Sequence, residues 1–260
     1  YLLTSRLLEY GENINFRGDR SAWENYILSF ILNDENIFTE KIKFNSYENL
    51  GLSLKNAIKN DLSILENYYR ITEEDLKLYI QNNFPELNVK LPGWSNLTEV
   101  ESYWNFKTNE FMKKMNRTSG WSQLAESLSK FYRNNGSGIL NSYKAFIWNQ
   151  RLEGLSNIDN ITLENIFGYQ NQINQIKNNT IKLLNGYRAN NILLYGDKGT
   201  GKSSTVKAVV NEYWDQGLRL KKKKKNDFSS FNQIISRLSN SNLCFILFID
   251  DLSFDNIEQG

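Results

Sequence analysis

Residues 196–204 read Gly-Asp-Lys-Gly-Thr-Gly-Lys-Ser-Ser. The spacing is G-x-x-x-x-G-K-[ST], the loop whose backbone N–H groups cradle phosphate. Its glycines allow the tight turning that points successive N–H groups at a β-phosphate, aided by the positive end of the following helix. Gly196, Asp197, Lys198, Gly199, Thr200, Gly201, Lys202, Ser203 and Ser204 are therefore the candidate phosphate-binding residues. Lys202 would neutralise β/γ-phosphate charge, and the Ser203 hydroxyl would ligate Mg²⁺. The context agrees. Asn191–Tyr195 reads as a buried β-strand before the loop, and a helix is expected from Ser203 to about Gln216, stopped by Gly217 at C′.

A second element lies about fifty residues on. Leu243-Cys244-Phe245-Ile246-Leu247-Phe248-Ile249 is an apolar run that ends in Asp250-Asp251. Such a run fits a strand buried on both faces of a parallel sheet. A carboxylate at its C-terminal end lies where open α/β sheets bind ligands. Asp250 is the expected Mg²⁺ partner, through water, and Asp251 stands where a water-activating carboxylate often follows. Between the two motifs, Leu218-Arg219-Leu220 begins a further strand, and Phe228–Leu238 reads as a crossover helix.

The 260 residues allow one large domain or two small ones, with ample core. A net charge of +2, from 31 basic and 29 acidic residues, gives no global field for nucleic acid or membrane. Histidine is absent, which excludes Ser-His-Asp and Cys-His catalysis, His-ligated zinc and imidazole proton transfer within this chain. The one cysteine, Cys244, sits in the apolar strand, and no intrachain disulfide is possible, as suits a reducing cytoplasm. No apolar run approaches the eighteen or more residues of a membrane span, and no secretory leader is visible. The chain begins at Tyr1 rather than Met and stops nine residues after Asp251, which reads as a piece of a longer protein.

Residues 1 to about 135 read as helices. Ser21–Leu32 carries Trp23, Tyr26, Ile27, Phe30 and Ile31 at helical spacing; Leu50–Tyr69 and Trp121–Tyr132 repeat the pattern, and Thr72 before Glu73-Glu74-Asp75 resembles a helix start. Trp94, Trp104, Trp121 and Trp148 are read as core rather than as a base-stacking surface. The expected boundary puts a helical region at residues 1–155 and a nucleotide-binding domain at residues 156–260. Asn171–Leu184 would be that domain's first helix. The run Lys221–Lys225 is read as a solvated strand edge or loop, with phosphate contacts to nucleic acid as the alternative.

The stretch Asn190 to Ala208, running into Asn211-Glu212-Tyr213 and Gln216–Leu220, resembles a bacterial family of AAA+ ATPases catalogued as domain of unknown function 815. Phe245–Phe254 and Phe167-Gly168-Tyr169 agree, as do Phe131-Tyr132, Gly136-Ser137-Gly138 and Tyr143–Trp148 upstream. The resemblance is specific from about Phe131 to Phe254. It implies an α/β fold of the P-loop NTPase, AAA+ type: a parallel sheet, here truncated, preceded by a mostly helical N-terminal region. It implies ATP with Mg²⁺, Walker A and Walker B motifs, and an adenine pocket near Ile166, Gly168 and Tyr169. It also implies an oligomer, and a protein or nucleic-acid client for remodelling. An ATP-gated switch with little hydrolysis and an initiator- or loader-like ATPase are the alternatives.

The chain departs from the family at Lys221 and Lys223, where apolar residues usually continue the second strand. Polar sensors and any arginine finger would lie beyond Gly260. In AAA+ sheets an extra strand separates the phosphate-loop strand from the strand ending in Asp250, and here it too would come from beyond Gly260. Asn191–Tyr195 and Leu243–Ile249 are therefore expected to be parallel but not hydrogen-bonded to each other. Leu218–Leu220 is expected to pair with the Asp250 strand instead.

Overall fold

A computed structural model describes residues 21–86, 106–156, 158–223 and 231–250. It divides into two compact units, Tyr1–Tyr132 and Arg133–Gly260.

The first unit is helical: α1 (Ala22–Asn33), α2 (Ile37–Ile42), α3 (Leu52–Tyr69), α4 (Glu73–Asn83), α5 (Phe106–Arg117) and most of α6 (Ala125–Asn135), with a 3₁₀ turn at Trp121–Leu124. Side chains set the helix starts. Ser21 Oγ accepts from Glu24 N at 3.2 Å while Ser21 N donates to Glu24 Oε2 at 2.6 Å, and Thr72 forms the same reciprocal box with Asp75. The apolar stripes meet in a core that includes Leu28, Phe38, Leu62, Met115, Trp121 and Leu128. Trp121 is thus core, as its spacing implies. Trp94 and Trp104 lie outside the described residues.

Glu66 ties this core to the chain that crosses it. Its carboxylate accepts from Gly120 N at 3.0 Å, Trp121 N at 2.7 Å and Arg70 Nη2 at 2.8 Å. Burial opposes its ionisation, but the hydrogen bonds from Trp121, Arg70 and Gly120 outweigh that and hold the carboxyl below the usual glutamate range. Glu66→Ala leaves those two N–H groups without acceptors, so unfolding should become easier by about 1–3 kcal/mol. Because the folded-state pKa is depressed, the stability due to ionised Glu66 is fully present above the unfolded pKa of about 4.3. It is lost as pH falls through the lower, folded-state value. Denaturation midpoints should therefore fall more steeply in acid for the wild type than for Glu66→Gln; parallel curves would exclude this role.

The second unit is built on a four-stranded sheet in the order β2-β1-β3-β4. β1 (Ala145–Asn149) and β2 (Arg151–Leu155) form an antiparallel hairpin, and β3 (Leu218–Lys223) runs parallel to both β1 and β4 (Cys244–Ile249). Strand alternation assigns the two faces. Leu218, Leu220, Cys244, Ile246 and Phe248 pack with Ile176 of α8 (Gln170–Leu184) and with Val206, Val209, Val210 and Tyr213 of α9 (Lys202–Tyr213). Phe146, Phe245 and Leu247 pack on the other face with Leu140 of α7 (Ile139–Ser142) and with Ile234 and Leu238 of α10 (Phe231–Ser239). The result is a mixed α/β unit whose sheet is mostly parallel and covered on both faces.

Three expectations change. First, Asn191–Tyr195 is neither a strand nor buried: Ile192, Leu193 and Tyr195 are 48%, 74% and 89% exposed. Among the described strands β4 pairs only with β3, and this exposed segment makes no ladder with it. Only Leu194 reaches the core. No ladder joins Asn191–Tyr195 to β4, but the parallel strand expected there is itself absent; the expected pairing of β4 with Leu218–Leu220 is found. Second, residues 133–155, placed by sequence with the helical region, fall in the second unit, because β1 and β2 complete its sheet. Third, Lys221 is no solvated edge. It lies in an inner strand, its side chain is buried, and its Nζ donates to Lys222 O at 2.8 Å. Lys224 and Lys225 lie outside the described residues. Among the described residues, no helix is long and apolar enough to cross a membrane.

Candidate nucleotide site

The loop of residues 196–201 leads into α9. Gly199 and Gly201 take φ of +87° and +81°, a left-handed conformation that costs glycine little and other residues more. Gly201 is the N-cap of α9, and no side chain caps that end, so the first N–H groups of the helix remain available to an anion. Lys202 Nζ donates to Gly196 O at 2.8 Å, to Asp197 O at 2.7 Å and to Thr200 Oγ1 at 3.3 Å. The loop is thereby folded around the ammonium. Thr200 Oγ1 donates to Asp197 O at 2.9 Å and tightens the same turn.

Ser203 and Asp250 are 47 positions apart and meet: Ser203 Oγ donates to Asp250 Oδ1 at 2.9 Å. The fold explains the meeting. Cys244, Ile246 and Phe248 face α9, so Asp250, two residues beyond Phe248, continues that face past the C-terminal end of β4. The helix that packs on this face begins at Lys202. A hydroxyl and a carboxylate form an all-oxygen pair, the donor class a hard divalent cation takes. Among the described residues no group of three or more His, Cys, Asp or Glu side chains could hold a metal alone. A cation here would draw its remaining oxygens from phosphate and water, which suits Mg²⁺. Asp251 lies outside the described residues.

Polar contacts hold α9 in place. Asn211 Nδ2 donates to Asp159 O at 2.9 Å and Ile161 O at 3.0 Å, and Asn211 Oδ1 accepts from Lys144 Nζ at 3.2 Å. Lys207 pairs with Asp159 at 2.6 Å, and Lys177 of α8 with Glu212 at 2.8 Å. Asn179 of α8 exchanges two hydrogen bonds with the backbone of Asn190, at 2.8 and 2.9 Å, and so fixes the chain that enters the loop.

Of the residues expected near an adenine, Ile166 stands beside the loop: a Cβ on Gly201 would lie 4.0 Å from Ile166 Cγ2. Gly168 and Tyr169 are exposed at the start of α8. The sequence reading gives Arg219 no role and takes Lys222 only as part of the run Lys221–Lys225. Lys222 Nζ lies 3.5 Å from Asp250 Oδ2. Counting by twos from Leu218 along β3 would have placed Lys222 on the α9 face.

A family model described as "Protein of unknown function (DUF815)" matches residues 141–260, a span that contains the whole sheet, the loop, α9 and Asp250. That part of the chain is similar to the family. No curated protein and no solved structure matches the chain.

Proposed function

We propose that the second unit binds ATP with Mg²⁺, and that the intact protein is an ATPase of the AAA+ type. Its turnover would be coupled to remodelling of a protein or nucleic-acid partner by a homo-oligomer. The observation that carries the nucleotide reading is the 2.9 Å contact of Ser203 Oγ with Asp250 Oδ1 at the uncapped start of α9. In this reading the loop N–H groups and Lys202 bind the phosphates, Ser203 and Asp250 hold the metal, and Ile166, Gly168 and Tyr169 line the base. Mg²⁺ held there would neutralise phosphate charge. Asp251 is assigned to orienting the attacking water.

A ligand and a base fail differently. Asp250→Ala should impair Mg²⁺-dependent ATP binding, whereas Asp251→Asn should retain binding and lose turnover. Calorimetric titration of ATP with and without Mg²⁺, beside phosphate release by the same full-length proteins, measures both. Equal loss of binding in the two variants contradicts the division of roles. Wild-type protein that binds ATP tightly without turnover would instead be an ATP-gated switch.

A further inference from the structure

The two carboxylate oxygens of Asp250 have different partners. Oδ1 accepts from Ser203, and Oδ2 faces the Lys222 ammonium at 3.5 Å. The arrangement is a product of strand parity. Leu218 and Leu220 face α9, and Lys222 continues that face at the end of β3, while the oppositely directed Arg219 and Lys221 are buried. In the parallel register Lys222 pairs with Phe248, two residues before Asp250, so both charges emerge at the same end of neighbouring strands. Their side chains are 42% and 31% exposed, so the pair is open to exchange with solvent ions. Lys202 is engaged elsewhere, on the carbonyls of Gly196 and Asp197.

Resting on the nucleotide-site reading above, we propose that Lys222 is the resident counter-cation of Asp250. It yields the carboxylate when a divalent cation enters with nucleotide phosphate, and so raises the metal concentration the site requires. A monovalent ammonium that neutralises Asp250 competes with a divalent ion for the same oxygens. Metal uptake is then an exchange of cations rather than a simple addition.

The test uses the full chain as wild type, Lys222→Gln, Lys222→Arg and Ser203→Ala. Mn²⁺ affinity is read from the electron paramagnetic resonance of free Mn²⁺ at saturating ADP, and ADP affinity by calorimetry in excess EDTA. Lys222→Gln should bind Mn²⁺ about threefold to fivefold tighter, the scale of a partly exposed ion pair. The gap should shrink as KCl rises. Lys222→Arg should resemble wild type, and ADP affinity in EDTA should be unchanged in Lys222→Gln. Ser203→Ala should weaken Mn²⁺ binding. If it does while Lys222→Gln leaves Mn²⁺ affinity unchanged or lowers it, the nucleotide site stands and the role given to Lys222 falls. Weaker ADP binding by Lys222→Gln in EDTA would make Lys222 a phosphate contact and also overturn the proposal. If wild type binds no ADP, or Ser203→Ala binds Mn²⁺ as wild type does, the site reading and the proposal both fall.

Discussion

Lys202→Ala should weaken ATP binding by the intact protein by roughly ten- to a hundredfold, because charge-assisted contacts to phosphate are worth roughly 1.5–3 kcal/mol. The substitution acts twice. It removes a positive charge from beside a triphosphate, and it removes the ammonium that gathers Gly196 O, Asp197 O and Thr200 Oγ1. Lys202→Arg separates the two effects. It keeps the charge, but its planar fork replaces a compact ammonium that fits between two carbonyls, so it should also bind ATP more weakly than wild type. Fluorescence titration with a labelled ATP analogue, checked by competition with ATP, measures the change. Unchanged affinity in Lys202→Ala would place the nucleotide elsewhere on the molecule.

The loop was readable from sequence because its requirements are local. Gly199 and Gly201 stand where the chain turns with positive φ, and the residues after them form a helix whose apolar face is written in Val206, Val209, Val210 and Tyr213. β4 was readable because its side chains pack on both faces of the sheet and so are apolar throughout, although each is half-buried rather than buried as expected. The N-terminal helices were readable from apolar spacing and from the helix start at Thr72.

What could not be read was the fate of Asn191–Tyr195 and the partner on the other side of β3. Ile192-Leu193-Leu194 has the composition of a strand, but a strand exists only beside a partner, and no local signal says whether one is there. Lys221 shows the converse. Its burial depends on β1, whose Ala145 and Phe146 pair with Leu220 and Lys221 across a long sequence separation. With residues 145–155 assigned to the helical region, β3 had no neighbour on that side, and its lysines looked like an exposed edge. The contact of Ser203 with Asp250 was recoverable because its two ends carry motifs. Lys222 stands in the sequence only as one of the run Lys221–Lys225, and its parity within β3 is the signal that sets it apart.

The largest stability effect in the second unit is expected from Arg219, inside β3. Its side chain is fully buried, and its guanidinium donates to four carbonyls: Leu140 O at 2.8 Å, Asn135 O at 2.9 Å, Leu218 O at 3.0 Å and Trp214 O at 3.1 Å. The planar fork thereby joins the end of α6, α7 and the turn after α9 to the sheet. Burial pushes its pKa down, and the nearby Asp215 carboxylate opposes that fall. Asp215 Oδ1 is itself buried and has no hydrogen-bond partner, so the carboxylate depends on nearby positive charge. Arg219→Ala would leave carbonyls without donors and Asp215 without this compensation. The expected loss is about 3–5 kcal/mol, the range for breaking a buried charged network by removing one partner. Arg219→Lys should recover only part of it, because one ammonium cannot reach four separated carbonyls. Adding Asp215→Asn to Arg219→Ala should make the double variant more stable than the sum of the single losses predicts, since the uncompensated charge is then gone. Urea denaturation followed by tryptophan fluorescence measures each term. An Arg219→Ala protein with the wild-type midpoint would show that this network does not hold the sheet unit together.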